Sequence, residues 1–116
     1  MVFQTEIEFS LPKGYLDKDG ALHRDGIMRL ATAADEILPL KDSRVQQNPA
    51  YLTIIVLARV ITQLGSLADV NTHTIEGLFA SDLNYLQQLY ERINSDAIED
   101  DNSGVTSADI VELGGR

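Results

Sequence analysis

The chain has 116 residues, a formal net charge of -9 and no cysteine. That length bounds a single domain with a modest core, and the missing cysteines exclude disulfides, thiolate nucleophiles and thiolate-held metals. The acidic balance, with no basic stripe, excludes nucleic acid and an anionic membrane surface as partners.

The first element reads from "VFQTEIEFS". Phe3, Thr5, Ile7 and Phe9 alternate with Gln4, Glu6, Glu8 and Ser10, which predicts a half-buried strand near 2–10 that Pro12 and Gly14 end. "DKDG" at 17–20 is a turn, with Gly20 at positive φ. The chain then returns in a second strand near 26–31, with room for a short extra strand around Tyr15 and Leu16. Thr32 and Asp35 open a short helix near 33–40 that Pro39 closes. A polar loop, "KDSRVQQ", follows. Asn48 and Pro49 form a favoured helix start, and "PAYLTIIVLARVITQL" predicts an apolar helix over 49–64, stopped by Gly65. Thr72 caps a third helix near 73–79. Ser81 caps a fourth near 82–94, where Leu83, Leu86, Leu89, Tyr90 and Ile93 form one stripe. The expected fold is α+β: an N-terminal β-hairpin packed on three or four helices, a single domain over 1–94.

Residues 95–116 carry six acidic residues against Arg116 alone and no aromatic. They predict an acidic, mostly disordered tail, in which "SADIVEL" (107–113) has the pattern of a short partner-induced helix. No charged-then-apolar leader opens the chain. The apolar run from Leu52 to Leu64 is too short for a membrane span and contains Arg59. The expectation is a cytoplasmic protein.

Three motifs invite a catalytic or metal reading, and each fails on spacing. His23-Arg24-Asp25 matches the tripeptide of a protein-kinase catalytic loop, but the asparagine needed five places after the aspartate is Leu30. "DKDG" opens like a calcium loop, yet the fifth position is Ala21 and the twelfth is Met28. The two histidines, His23 and His73, lie on different elements with no cysteine near either. No serine stands in a nucleophile elbow. The sequence therefore predicts no catalytic residue, no cofactor and no metal.

The helix over 49–64 carries apolar side chains around most of its circumference, so it must be covered on several sides. Either the body covers it, or another chain does, in a homo-oligomer or a complex with a client protein. On the second reading Ile54, Leu57 and Ile61 belong to the partner surface. So do Tyr85 and Tyr90, since tyrosine tolerates one wet end and is enriched at interfaces. Leu86 and Leu89 are assigned to the internal seam.

Taken in order, "LHRDGIMRLATAADEI", "RVQQNPAYLTIIVLARVITQLGSL" and "IEGLFASDLNYLQQLYERIN" resemble the tail-assembly chaperones of contractile phages and of phage-derived contractile injection systems. Met28, Arg29, Leu30, Thr32 and Asp35 match the family's step into helix. Leu78, Asp82 and Leu83 match its entry to the last helix. The resemblance covers roughly 6–94, and the "RVQQNP" segment and acidic tail depart from the shorter members. It implies a non-enzymatic protein that binds a long helical tape-measure protein during assembly, or a resident baseplate or tail component. It carries over no catalytic residue.

Overall fold

A computed structural model describes residues 4–95, so the first residues of the predicted strand and the predicted tail beyond Ser95, "SADIVEL" included, lie outside the described residues. The elements run β1 (Glu6–Leu16), β2 (Leu22–Arg29), α1 (Ala33–Ile37), a 3-10 turn (Leu38–Lys41), α2 (Ser43–Gln47), α3 (Tyr51–Val60), β3 (Ile61–Leu64), α4 (Thr72–Glu76) and α5 (Ala80–Asn94). The fold is α+β: a three-stranded antiparallel sheet in the order β1-β2-β3, packed with five α-helices.

The hairpin forms where alternation and turn chemistry predict it. Asp17 Oδ1 accepts the amides of Asp19 and Ala21 at 2.8 and 2.9 Å, and Gly20 takes φ +87°. β1 does not stop at Pro12. It bulges between Ser10 and Tyr15 and resumes, pairing Tyr15 with His23 and Leu16 with Leu22. Proline is tolerated there because β1 is an edge strand, where a missing N–H breaks no ladder bond. β2 accordingly starts earlier than the hydrophobic pattern indicates.

The predicted helix over 49–64 is two elements. α3 ends at Val60, and Ile61–Leu64 is a strand that pairs with β2 through Met28↔Ile61, Ile27↔Gln63 and Gly26↔Leu64. Val60, Ile61 and Thr62 are consecutive β-branched residues, which fit a pleated sheet, but Thr53–Val56 are β-branched too and lie within α3, so the break is set by pairing with β2 rather than by local propensity. An extra residue at the bulge between Ile27 and Met28 puts both Ile61 and Leu64 on the inner face. This reduces the excess apolar circumference: Ile61 and Leu64 belong to a strand facing the core from another direction. Gly65 closes β3, donating its amide to the Asp25 carbonyl at 2.7 Å. A side chain there would run into His23.

Other starts move by a few residues. Asn48 Oδ1 accepts the Ala50 amide at 3.2 Å, but the first helical residue is Tyr51. "SRVQQ" is not loop but α2, capped by Asp42. Asn71, not Thr72, caps α4, accepting the Thr74 amide at 3.0 Å. α5 begins at Ala80, so Ser81 lies inside it.

The core gathers Phe9, Leu11 and Met28 from the hairpin, Leu57 and Val60 from α3, Ile61 and Leu64 from β3, Ile75 from α4, and Leu86 and Leu89 from α5. The two leucines assigned to the internal seam are indeed buried there. α5 is fastened to the sheet by Asp82, whose side chain is fully buried. Its two carboxylate oxygens accept the amides of Lys13 and Gly14 at 2.9 and 2.8 Å. Those amides belong to the bulge, where β1 makes no ladder bond, so a carboxylate from α5 satisfies backbone that would otherwise be stranded.

Asp82→Ala should therefore lower unfolding stability by about 3 kcal/mol, the scale of leaving buried donors unpaired. Urea denaturation checks this. Asp82→Asn, which keeps one acceptor, should fall between the variant and the parent.

Candidate functional site

An open, mostly apolar groove of about 440 Å³ lies between three helical segments. α3 contributes Leu52, Thr53, Val56 and Leu57. α5 contributes Gln87, Tyr90 and Glu91, and the α1 segment contributes Glu36 and Leu40. Leu52 and Val56 are four residues apart and so share one face of α3. The 3-10 turn presents Leu40 because Pro39, buried, cannot continue α1. Leu40 is 51% exposed, and Ile37 and Leu38 on the same segment are 58% and 47% exposed. Isolated exposed leucines are ordinary, whereas three within four residues beside an apolar groove form a patch.

A buried ion cluster sets the α1 side of this groove. Asp35 is 2% exposed. Arg29, at the end of β2, donates to both its oxygens, at 2.7 and 3.0 Å. Arg59 Nε, at the end of α3, donates to Oδ1 at 3.0 Å. The Thr32 amide and hydroxyl donate to Oδ2 at 2.8 and 3.1 Å. One carboxylate thus ties together the sheet, α3 and the first turn of α1. Arg29 holds the Asp35 carboxyl well below the usual carboxylate range; burial opposes this, and Thr32 and Arg59 reinforce it. Across the groove, the Tyr90 hydroxyl donates to Glu36 at 2.5 Å, linking α5 to α1. Burial first, and then Glu36, push the Tyr90 pKa up, so the hydroxyl stays protonated and remains the donor.

Two of the five residues assigned from sequence to a partner surface meet here. Tyr90 is half-buried on the groove wall, and Leu57 lies at its floor, 1% exposed. Ile61 is in the core on β3, which corrects its assignment to an exposed helix flank. Ile54 is half-buried and packs against the core. Tyr85 lies away from the groove, edge-on to Phe9 with ring centroids 6.5 Å apart. The sequence reading missed Leu40, Leu52, Val56 and the rim glutamates. The available signal was the i, i+4 pair on α3, hidden within an overlong apolar run.

His23-Arg24-Asp25 is turn and sheet chemistry. The His23 ring is buried. Its Nδ1 accepts the Ser66 amide at 3.3 Å, which leaves Nε2–H to donate to Asp17 Oδ2 at 2.8 Å. That bond is the main cause of the lowered Asp17 pKa. Arg24 Nε donates to the Leu11 carbonyl at 3.0 Å, and Asp25 is exposed. Among the described residues no group of three or more His, Asp or Glu side chains is placed to hold a metal, and no helix is long and apolar enough to cross a membrane.

No family model, curated protein or solved structure matches the chain.

The Asp35 cluster gives a pH signature. Its folded pKa lies below the ordinary aspartate value of 3.8, so its stabilisation is complete above that value and is lost as pH falls through the folded pKa. Asp35→Asn should be less stable than the parent at neutral pH, and the difference should narrow in acid, as read by thermal melts from about pH 7 to about pH 2. Asp25→Ala should stay within about 0.5 kcal/mol of the parent in urea denaturation, while His23→Ala, which empties a buried site, should be clearly destabilised.

Proposed function

We propose that the protein is a non-enzymatic tail-assembly chaperone or accessory of a phage-like contractile particle, acting in the cytoplasm, and that it binds a helical, tape-measure-like client. The apolar groove between α1, α3 and α5, continuous with exposed Leu40, is the observation that carries this reading. Helix-in-groove recognition needs such a concavity, with apolar walls and few fixed polar groups. A tape-measure chain presents repeated apolar helix faces before the tube encloses it, and a helper for it must cover them.

The ordered motifs of the resemblance support the same reading at the level of fold. Arg29 with Asp35, and Asp82, are the residues that hold the groove's frame in place. The polar chemistry is consistent with a binding role. Both buried carboxylates are fully occupied by guanidinium and backbone donors, and the buried histidine has both ring nitrogens engaged.

Two substitutions separate the groove from the core. Tyr90→Asp should leave the fold standing and weaken client binding by about 1–3 kcal/mol, the loss expected for an interface anchor. Tyr85→Asp should instead lower stability, because Tyr85 packs on Phe9, with no direct effect on the groove. Co-expression with the long helical protein of the same particle, followed by pull-down and a solubility assay, checks both. Failure to co-purify, with the client equally soluble alone, would overturn the chaperone reading, and finding the protein in purified mature particles would replace it with a resident structural role.

A further inference from the structure

We propose that the groove selects an amphipathic helix of another protein whose apolar stripe is flanked by lysine or arginine. This rests on the client-binding reading above and adds the chemistry of the client. The stripe would lie against Leu40, Leu52, Val56 and Tyr90.

The ionic residues lining the groove are Glu36 and Glu91, both exposed, with no cation among them. Arg29 and Arg59 are paired with Asp35, and Arg92, which follows Glu91 in sequence, does not line the groove. Lys41 follows Leu40 in sequence but does not line the groove. An apolar strip edged by carboxylates favours a helix with basic shoulders and repels one with acidic shoulders.

The same charges count against the other occupants. The chain's own residues 95–116 carry six acids and one base, so that segment would bring like charge to the rim. A second copy has a net charge of -9 and would set its own rim glutamates against these. A small polar ligand would need convergent buried polar groups. The polar lining residues Glu36, Thr53, Gln87, Tyr90 and Glu91 are all half-buried or exposed, and Glu36 is already bonded to Tyr90.

Synthetic helical peptides of about 18 residues, five turns long, provide the probe. All share one leucine stripe and differ only in flanking it with Lys, Gln or Glu. Binding to the full chain is read by fluorescence anisotropy at low salt. The Lys peptide should bind at least about tenfold more tightly than the Glu peptide, with the gap shrinking as salt rises. Glu91→Lys should narrow or reverse the preference. Leu40→Asp, at an exposed position, should abolish binding while the melting temperature stays near the parent's. Equal binding of the three peptides, or no binding by any, would overturn the proposal, as would an unchanged preference in Glu91→Lys or undiminished binding by Leu40→Asp. If a tape-measure-like client still co-purifies in such a case, the proposed function stands and only the basic-shoulder chemistry fails.

Discussion

A single buried carboxylate, Asp35, holds the helical layer in register with the sheet. An isolated charge at 2% exposure is costly, and this one is kept ionised by Arg29, Arg59 and the opening turn of α1. The partners come from the end of β2, the first turn of α1 and the end of α3, the last of these 24 residues from Asp35 in sequence. Removing any of them leaves the buried Asp35 carboxylate with fewer donors. α1 has only five residues and would not persist in water by itself. Its position is set by tertiary bonds rather than by helix propensity, and the groove inherits its shape from that position.

Asp82 plays the corresponding part on the other side. It sits in the first turn of α5, where the helix dipole favours an anion, and spends both oxygens on the bulge of β1. The bulge and the helix are thus mutually dependent. An irregular edge strand also presents a poorer template for pairing with other chains. With α5 locked to β1 by Asp82 and α1 locked to β2 by Asp35, the two walls of the groove are referred to the same hairpin. The Tyr90–Glu36 bond then joins the walls directly. An apolar surface held open in this way is spared the collapse that would otherwise hide it, which is the physical requirement for a preformed binding groove.

The sequence made some of this legible and concealed the rest for identifiable reasons. Alternation in "TEIEFS" and the Asp and Gly chemistry of "DKDG" are local signals, and the hairpin follows from them. The stripe of α5 is long and strongly periodic, so its buried leucines were assigned correctly. The run from Leu52 to Leu64 was not separable, because a segment with apolar residues around most of its circumference has little periodicity with which to tell helix from buried strand. β-branching does not mark the break, since Thr53–Val56 is as β-branched as Val60–Thr62 and is helical. α2 escaped notice because a five-residue helix carries no periodic pattern. The Asp82 contact spans a sequence separation of 68 residues, and no local rule anticipates it. Of the residues expected at a partner surface, Tyr90 and Leu57 line the groove, whereas Ile61 lies in the core because 49–64 is not a single helix, and Tyr85 packs on Phe9.

The central claim is that Asp35 positions α1 and the 3-10 turn as one wall of the groove. Amide hydrogen exchange on Asp35→Ala tests it most directly. The account predicts that protection is lost in residues 31–41 and at the end of α3, while amides of β1 and β2 away from Arg29 stay protected. Exchange in α1 and the 3-10 turn at the parental rate would contradict it and would mean that the wall stands without its carboxylate.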